Sequence, residues 1–208
     1  MGFLHENLDQ ITRQHMTAEI KKDIAADKLY LSTRLTHSGR EIWFGLLLDA
    51  ALCGTDDSLA ALLQDRGLLN GSELRKKPRG GYSIAQVSAT AHITLAEGEF
   101  NRFYVRGLCC RAIAQGIPRL ELYRAKQGNI PRPESVEKTG LLMDPEVVLV
   151  DVRASIGVVT AFWLPQGSNS GLSLRIPGGT APDGCDVFNF EKTAPYHGPA
   201  LSITLPLR

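Results

Sequence analysis

The segment that most constrains the fold is residues 94–116, which reads as one helix with a defined start and end. Thr94 can accept hydrogen bonds from the free amides of the first turn, and Glu97 follows at the spacing of a capping box. Gly116 and Pro118 end the helix, since glycine adopts the left-handed terminal conformation and proline cannot continue the hydrogen-bond ladder. Apolar side chains point in almost every direction around it: Phe100, Phe103, Tyr104, Val105, Leu108, Cys109, Cys110, Ala112 and Ile113. A helix that is apolar on nearly every side belongs in the middle of a domain.

Three charged residues interrupt this helix along one narrow stripe. Glu99, Arg102 and Arg106 stand at positions i, i+3 and i+7, so they share a face. An arginine in a core is costly unless it is paired. We expect Glu99 to pair with Arg102, and Glu121 or Asp151 to reach in from neighbouring elements, which would form a buried ion-pair network. The alternative is a pocket in which the arginines hold a substrate anion.

The two halves of the chain differ in proline content, because ten of the eleven prolines fall at or after Pro118. The first half can therefore hold long helices, whereas the second half must consist of short strands and loops. Apolar periodicity predicts helices over three ranges: 3–26, 40–52 and 56–66. We assign residues 1–70 to an N-terminal helical region and residues 71–208 to a mixed α/β core with proline- and glycine-rich C-terminal strands, unless the two form one continuous domain.

Strand patterns flank the central helix on both sides. Residues 85–93 alternate apolar and polar side chains, which is typical of a strand with one buried face, and residues 120–123 form a second strand. Strand, helix and strand together have the size of a βαβ unit, which allows parallel pairing. Further predicted elements are a helix at 144–155 and strands at 160–164, 172–176 and 201–207. The pattern predicts an α+β or mixed α/β fold with the buried helix against a small sheet.

The first predicted helix is amphipathic. Its polar side carries charged residues, whereas its apolar side chains share one face: Leu4, Leu8, Ile11, His15 and Ala18. Such a helix packs either on its own domain or on a neighbouring subunit.

Composition and motifs exclude several classes of function. The formal net charge of +1 creates no global field that would attract nucleic acid or membrane, and no apolar run approaches the ~20 residues that span a bilayer. The phosphate-binding and dinucleotide-binding glycine motifs do not occur, and the histidines lack metal-ligand spacing. The cysteines (Cys53, Cys109, Cys110 and Cys185) form no C-x-x-C motif, so we expect reduced packing residues, with a disulfide or reactive thiol as the alternative. We expect no cofactor, no metal, no membrane partner and no catalytic residue.

One local concentration of charge stands out before the central helix. Arg75, Lys76, Lys77 and Arg79 place four cations within five residues of a glycine-rich connection. Such a cluster is able to bind nucleic-acid phosphates through ionic contacts. With a net charge near zero and few aromatic residues nearby, a solvated loop or contact to an acidic partner protein is the favoured interpretation.

Four segments resemble uncharacterised proteins of tailed phages and prophages. They are LAEGEFNRFYVRGLCCRAI at 95–113, LELYRAK at 120–126, PRPES at 131–135 and GSNSGLSLRIP at 167–177, within a resemblance that covers residues 52–177. The resemblance carries no fold, activity or functional residue, but it implies a virion component such as a head, neck, tail or decoration protein. We therefore expect a homo-oligomer that meets other assembly proteins in a virion assembled in the host cytoplasm. The alternative is a nucleic-acid-binding or processing protein that uses residues 75–79.

Overall fold

The computed structural model describes residues 2–78, 80–126, 137–155 and 171–178, and these residues form an α+β fold. The helices are α1 (Gln10–Ala25), α2 (His37–Cys53), α3 (Asp56–Asp65), α4 (Ala91–Ala114) and α5 (Pro145–Ala154). The strands are β1 (Ser72–Lys76), β2 (Tyr82–Gln86), β3 (Leu120–Arg124), β4 (Leu142–Met143) and β5 (Leu172–Arg175). The predicted fold class is therefore confirmed, while the strands expected at 160–164 and 201–207 lie outside the described residues.

Helix α4 is the centre of the core, as its all-round apolar composition predicts. Phe103 and Leu108 are fully buried within a cluster that joins α1 to α4, α5, β3 and β5. The predicted start of the helix was wrong, because the N-cap is Thr90 and the Thr94 hydroxyl donates back to the Thr90 carbonyl oxygen. Helix propensity through residues 91–93 continues the helix toward its N-terminus, past the expected cap.

Helix α1 packs on α4, and the two backbones approach closely at Gly107. A Cβ atom built at Gly107 would lie 2.8 Å from the backbone nitrogen of Met16, so only glycine fits at this crossing. The apolar face predicted for the first helix does not pack on its own domain over most of its length, since Ile11 and Ala18 are exposed. The buried face includes Glu19 and Asp23 together with apolar residues, a consequence of the ion pairs described below.

The alternating residues 85–93 do not form one strand, and this prediction was wrong. Strand β2 ends at Gln86, and residues 91–93 already belong to the first turn of α4. β2 pairs antiparallel with β1 in a two-stranded sheet and does not share a sheet with β3, so the parallel βαβ unit is not formed. The connection between β1 and β2 is short enough for a hairpin, which dictates antiparallel pairing.

A second sheet covers another side of α4 with the strand order β4-β3-β5, all antiparallel. Its apolar side chains enter the core beside α4: Leu120, Leu122, Leu172 and Leu174. Helix α5 then begins where the sequence predicts, because the Asp144 carboxylate accepts hydrogen bonds from the free amides of Glu146 and Val147.

Residues 2–9 form an extended segment that crosses the domain before α1 begins. The Leu4 amide donates to the Ala125 carbonyl oxygen at 2.7 Å, just beyond β3. The Asn7 side-chain oxygen accepts from the Ile176 amide at 2.8 Å, just beyond β5. This segment therefore joins the first residues of the structure to its last sheet.

Candidate functional site

The basic residues predicted as a contact site lie on the β1–β2 hairpin and in its turn. Arg75 and Lys76 are the last residues of β1, Lys77 begins the turn, and Arg79 lies outside the described residues. The turn closes through a hydrogen bond from the Lys77 amide to the Gly81 carbonyl oxygen at 3.0 Å. Gly80 and Gly81 have φ angles of 91° and 78°, a conformation that favours glycine. The expected loop is thus mostly an ordered strand and turn.

The first of these cations is already paired within the chain. Arg75 Nη2 lies 2.8 Å from a Glu73 oxygen, and Arg34 Nε lies 2.7 Å from the other oxygen of the same carboxylate. Both arginines lower the pKa of Glu73 to about 2 through hydrogen bonds, with that from Arg34 the stronger cause. Because Arg34 precedes α2, this carboxylate anchors the hairpin to the helical part of the molecule.

Lys76 and Lys77 are exposed, and neither has an ion-pair partner among the residues that the structure describes. In the antiparallel register Lys76 stands opposite Tyr82. Among the described residues of the hairpin, these two lysines are the cations that remain available to another molecule.

The hairpin also carries an exposed apolar surface that the sequence reasoning missed. Leu74 and Ile84 face each other across the two strands and are 73% and 78% exposed. Tyr82 lies two residues from Ile84 on the same face and is 68% exposed. We call Leu74, Tyr82, Ile84 and Lys76 the hairpin face. The sequence contains a signal for the hairpin itself, because Gly80-Gly81 between two strand-like segments is typical of a hairpin turn, but it contains none for the exposure of this face.

The predicted polar stripe of α4 divides into two ion-pair groups. Arg106 is 1% exposed and points at α1, where its Nε lies 2.9 Å from Glu19 and its Nη2 lies 2.8 Å from Asp23. Arg153 of α5 donates to Glu19 as well, with its Nε at 2.9 Å from the carboxylate. Helix α1 therefore supplies both carboxylates that bind Arg106. Glu121, which we expected to reach this group, accepts instead from Arg175 within the sheet.

Glu99 and Arg102 form the second group. Arg102 Nη1 lies 3.1 Å from a Glu99 oxygen, and both side chains are only 8% exposed. The Nε and Nη2 atoms of Arg102 are buried without a hydrogen-bond partner in the structure described. The complete pairing of Arg106 with Glu19 and Asp23 favours architecture over a site for a substrate anion, whereas Glu99 satisfies Arg102 only in part.

The two buried glutamates of these groups respond to their surroundings in opposite ways. Burial alone would raise the pKa of Glu19, but hydrogen bonds from Arg153 and Arg106 outweigh it and lower the pKa to about 2. For Glu99 burial prevails over the opposing charge and hydrogen bond of Arg102, so its pKa is raised. The pKa values of the two carboxylates therefore shift in opposite directions: two arginines donate hydrogen bonds to Glu19, whereas Arg102 alone donates to the more deeply buried Glu99.

An open cleft lies between the end of α3 and the start of α4. Residues of both segments line it, among them Gln64, Asn70, Ser88 and His92. No carboxylate, cysteine or lysine lines this cleft, so His92 has no charged partner there for acid–base catalysis.

The buried histidine and the cysteines do not form a reactive group. Burial lowers the pKa of His5 to about 3, which keeps the ring neutral among Phe3, Phe100 and Tyr104. Burial also raises the pKa of the Cys109 and Cys110 thiols within α4. Cys53 is exposed at the end of α2, so the expectation of a packing role was wrong there, and Cys185 lies outside the described residues.

The described residues contain neither a metal-binding cluster nor a membrane-spanning helix. In residues 2–78, 80–126, 137–155 and 171–178, no group of three or more histidine, cysteine, aspartate or glutamate side chains is placed to hold a metal ion. Within the same ranges, no helix combines the length and the apolar character that crossing a membrane requires. The chain matches no protein-family model, no curated protein and no solved structure.

Proposed function

We propose that this chain is a non-enzymatic structural protein that works in a symmetric assembly, and that the hairpin face is one of its docking surfaces. The observation that carries the proposal is the exposure of Leu74, Tyr82 and Ile84, each more than two-thirds exposed on a hairpin anchored at its base. Exposed apolar groups rimmed by polar residues mark interaction surfaces, and burying them against a partner is favourable. Because the ion pair between Arg34 and Glu73 already holds the hairpin in place, the hairpin loses less conformational entropy when it docks.

The assembly that we propose is a tailed-phage particle, with the protein made in the host cytoplasm and built into the virion. This part of the proposal rests on the four segments of residues 52–177 described under Sequence analysis and not on any match to a known protein. The partners are further copies of this chain and other particle proteins.

The test is incorporation into particles released from cells that encode this chain. Particles are purified on a density gradient and analysed by mass spectrometry for the wild-type chain and for the variant Leu74→Ser/Ile84→Ser. We expect the wild-type chain in the particle fraction and the variant in the unassembled fraction. The matched control is Ile11→Ser/Ile42→Ser, which changes two partly exposed apolar residues of the helical region. Particles that lack the wild-type chain, or that take up the hairpin variant normally, overturn the proposal.

The second candidate function is nucleic-acid binding through the same hairpin. The observation in its favour is the exposed pair of Lys76 and Tyr82 across the strands, since a cation beside an aromatic ring suits a phosphate and a stacked base. The observation against it is the pairing of Arg75 with Glu73, which leaves fewer free cations than the sequence indicates.

Salt dependence distinguishes this second candidate. Binding of a labelled single-stranded DNA is measured between ~50 and ~200 mM salt, where phosphate contacts weaken steeply. For a nucleic-acid-binding protein, Lys76→Ala/Lys77→Ala reduces the slope of log affinity against log salt by about 0.7 per lost contact. Absence of binding at ~50 mM salt removes the candidate.

A further inference from the structure

A second exposed apolar surface lies where β4 leads into α5. Leu142 of β4 is 59% exposed and Val150 of α5 is 68% exposed. Val147 precedes Val150 by three residues, so the two share the outer face of the helix, and Glu146 is exposed beside them. We call Leu142, Glu146, Val147 and Val150 the β4–α5 surface.

This surface and the hairpin face lie at opposite ends of α4. Strand β2 ends at Gln86, just before the N-terminus of α4. The start of α5 is held near the other end, where Arg119 Nη1 lies 2.8 Å from the Asp144 carboxylate. A helix of 24 residues spans about 36 Å, so the two surfaces are attached to opposite ends of a long element.

The two surfaces also differ in charge. The hairpin face and its turn contribute the exposed cations Lys76 and Lys77. The β4–α5 surface contributes the exposed carboxylate of Glu146, and Glu137 is exposed in the segment that leads to β4. Arg119 is also exposed beside the start of α5, but it is paired with the Asp144 carboxylate. Apolar side chains with a basic rim on one end therefore match apolar side chains with an acidic rim on the other, which favours pairing between unlike ends.

We infer that the hairpin face of one copy docks on the β4–α5 surface of a second copy, so that copies join head to tail. Contact between two different surfaces is heterologous, and its repetition produces a ring or a filament instead of a closed dimer. This inference rests on the proposed function, because it names the partner of the hairpin face. Residues 72–86 are fewer than the about 20–30 residues that each side of a stable interface contributes, so we expect weak association that depends on concentration.

The first experiment is sedimentation velocity of the full chain at low salt over a range of concentrations. Two variants are compared with the wild type: Leu74→Ser/Ile84→Ser in the hairpin face and Val147→Ser/Val150→Ser in the β4–α5 surface. We expect the wild type to form species larger than dimers as concentration rises. Each variant alone should remain monomeric, because it lacks one of the two complementary surfaces. Circular dichroism checks that both variants keep their helices.

Mixing the two variants distinguishes unlike from like contacts. Each variant keeps the surface that the other has lost, so an equal mixture should form a complex of two chains and nothing larger. If two hairpin faces pair with each other instead, the β4–α5 variant alone will dimerise and the mixture will form no complex between variants. That result overturns the head-to-tail contact.

Charge reversal provides an independent measurement. Lys76→Glu/Lys77→Glu should weaken association at least tenfold, and mixing with a Glu137→Lys/Glu146→Lys chain should restore it. The matched control is Lys21→Glu/Lys22→Glu, which reverses two adjacent exposed lysines of α1. An equal effect of the control and the hairpin pair contradicts the assigned contact.

The failure of this inference can be told apart from the failure of the proposed function. A wild-type chain that stays monomeric at every concentration overturns the head-to-tail contact. If the hairpin variant is nevertheless excluded from particles, the hairpin face docks on a different particle protein and the proposed function stands. If wild-type association occurs but the chain is absent from particles, the proposed function fails while the contact stands.

Discussion

Charged residues fill part of the contact between α1 and α4, whereas large apolar residues cover the outer face of the β1–β2 hairpin. In the first region Arg106 is buried with two carboxylates that satisfy it, so the charges serve the fold. In the second region Leu74 and Ile84 stand opposite each other on the paired strands, and both side chains remain exposed. Polarity alone therefore does not tell whether a residue stabilises the fold or contacts another molecule. The presence or absence of a partner within the chain is the better guide.

The largest effect should come from breaking the buried ion pairs. Arg106→Met leaves Glu19 and Asp23 buried without their shared cation, so we expect the free energy of unfolding to fall by about 3–5 kcal/mol. Urea denaturation measures this change. Arg40→Met removes an exposed arginine of α2 and should stay within about 0.5 kcal/mol of the wild type. Similar losses in both variants would mean that the pairing contributes little.

Shortening an apolar side chain should lower the free energy of unfolding much more in α4 than in the hairpin face. Leu108→Ala removes a fully buried side chain of α4 and should lower the free energy of unfolding by about 2–5 kcal/mol. Ile84→Ala removes a side chain of the hairpin face and should lower it by less than about 1 kcal/mol. Thermal unfolding of the monomer at low concentration compares them. A large loss from Ile84→Ala would place the hairpin face inside the fold.

The close approach of α1 and α4 predicts a smaller effect at Gly107. Gly107→Ala pushes a methyl group against the Met16 backbone, so we expect a loss of about 1–3 kcal/mol in the free energy of unfolding. Gly98→Ala is the matched control on the same helix, because a Cβ atom there meets nothing within 4 Å. The control should stabilise the protein by about 0.5–1 kcal/mol through its helix propensity. Equal signs for both variants would contradict the close crossing.

The smallest effect is the pH dependence of a single carboxylate. The folded pKa of Glu19 is lowered from 4.5 to about 2, so its ionised form stabilises the fold above pH 4.5 and that contribution is lost as pH falls toward 2. Glu99, whose pKa is raised by burial, changes the free energy of unfolding in the opposite direction over the acidic range. We therefore expect the destabilisation caused by Glu19→Gln to be largest at neutral pH and to shrink below pH 4.5. Urea denaturation from pH 7 to pH 3 measures it, and a constant difference would contradict the ion pair.

Local patterns predict much of the fold because their causes lie within a few residues. The cap at Asp144-Pro145 predicts α5, and the all-round apolar composition of residues 94–113 predicts the buried α4. The alternation at 85–93 failed because a helix that begins at Ala91 can start with residues that also alternate in polarity. No local pattern distinguishes these two structures.

Long-range pairing limits what the sequence predicts about the candidate site. Glu19 is drawn into the core by Arg106, which lies 87 residues away along the chain, and this inverts the apolar face expected for α1. Arg34 pairs with Glu73 across 39 residues and holds the carboxylate that also binds Arg75, so the sequence overstates the number of free cations in the hairpin. The basic character of the hairpin was visible in the sequence, whereas the exposure of Leu74 beside it depends on the tertiary structure.

The extended segment at residues 2–9 bears on the order in which the chain acquires its structure during synthesis. The side chain of Asn7 accepts its hydrogen bond from Ile176, which the ribosome adds 169 residues later. At about 5–20 residues per second, that delay is roughly 10–30 s. Residues 2–9 therefore wait for partners made much later, and the second sheet can hold this segment only after β5 has been translated. Contacts between such distant residues slow folding, so this early segment stays accessible to chaperones and proteases throughout the delay.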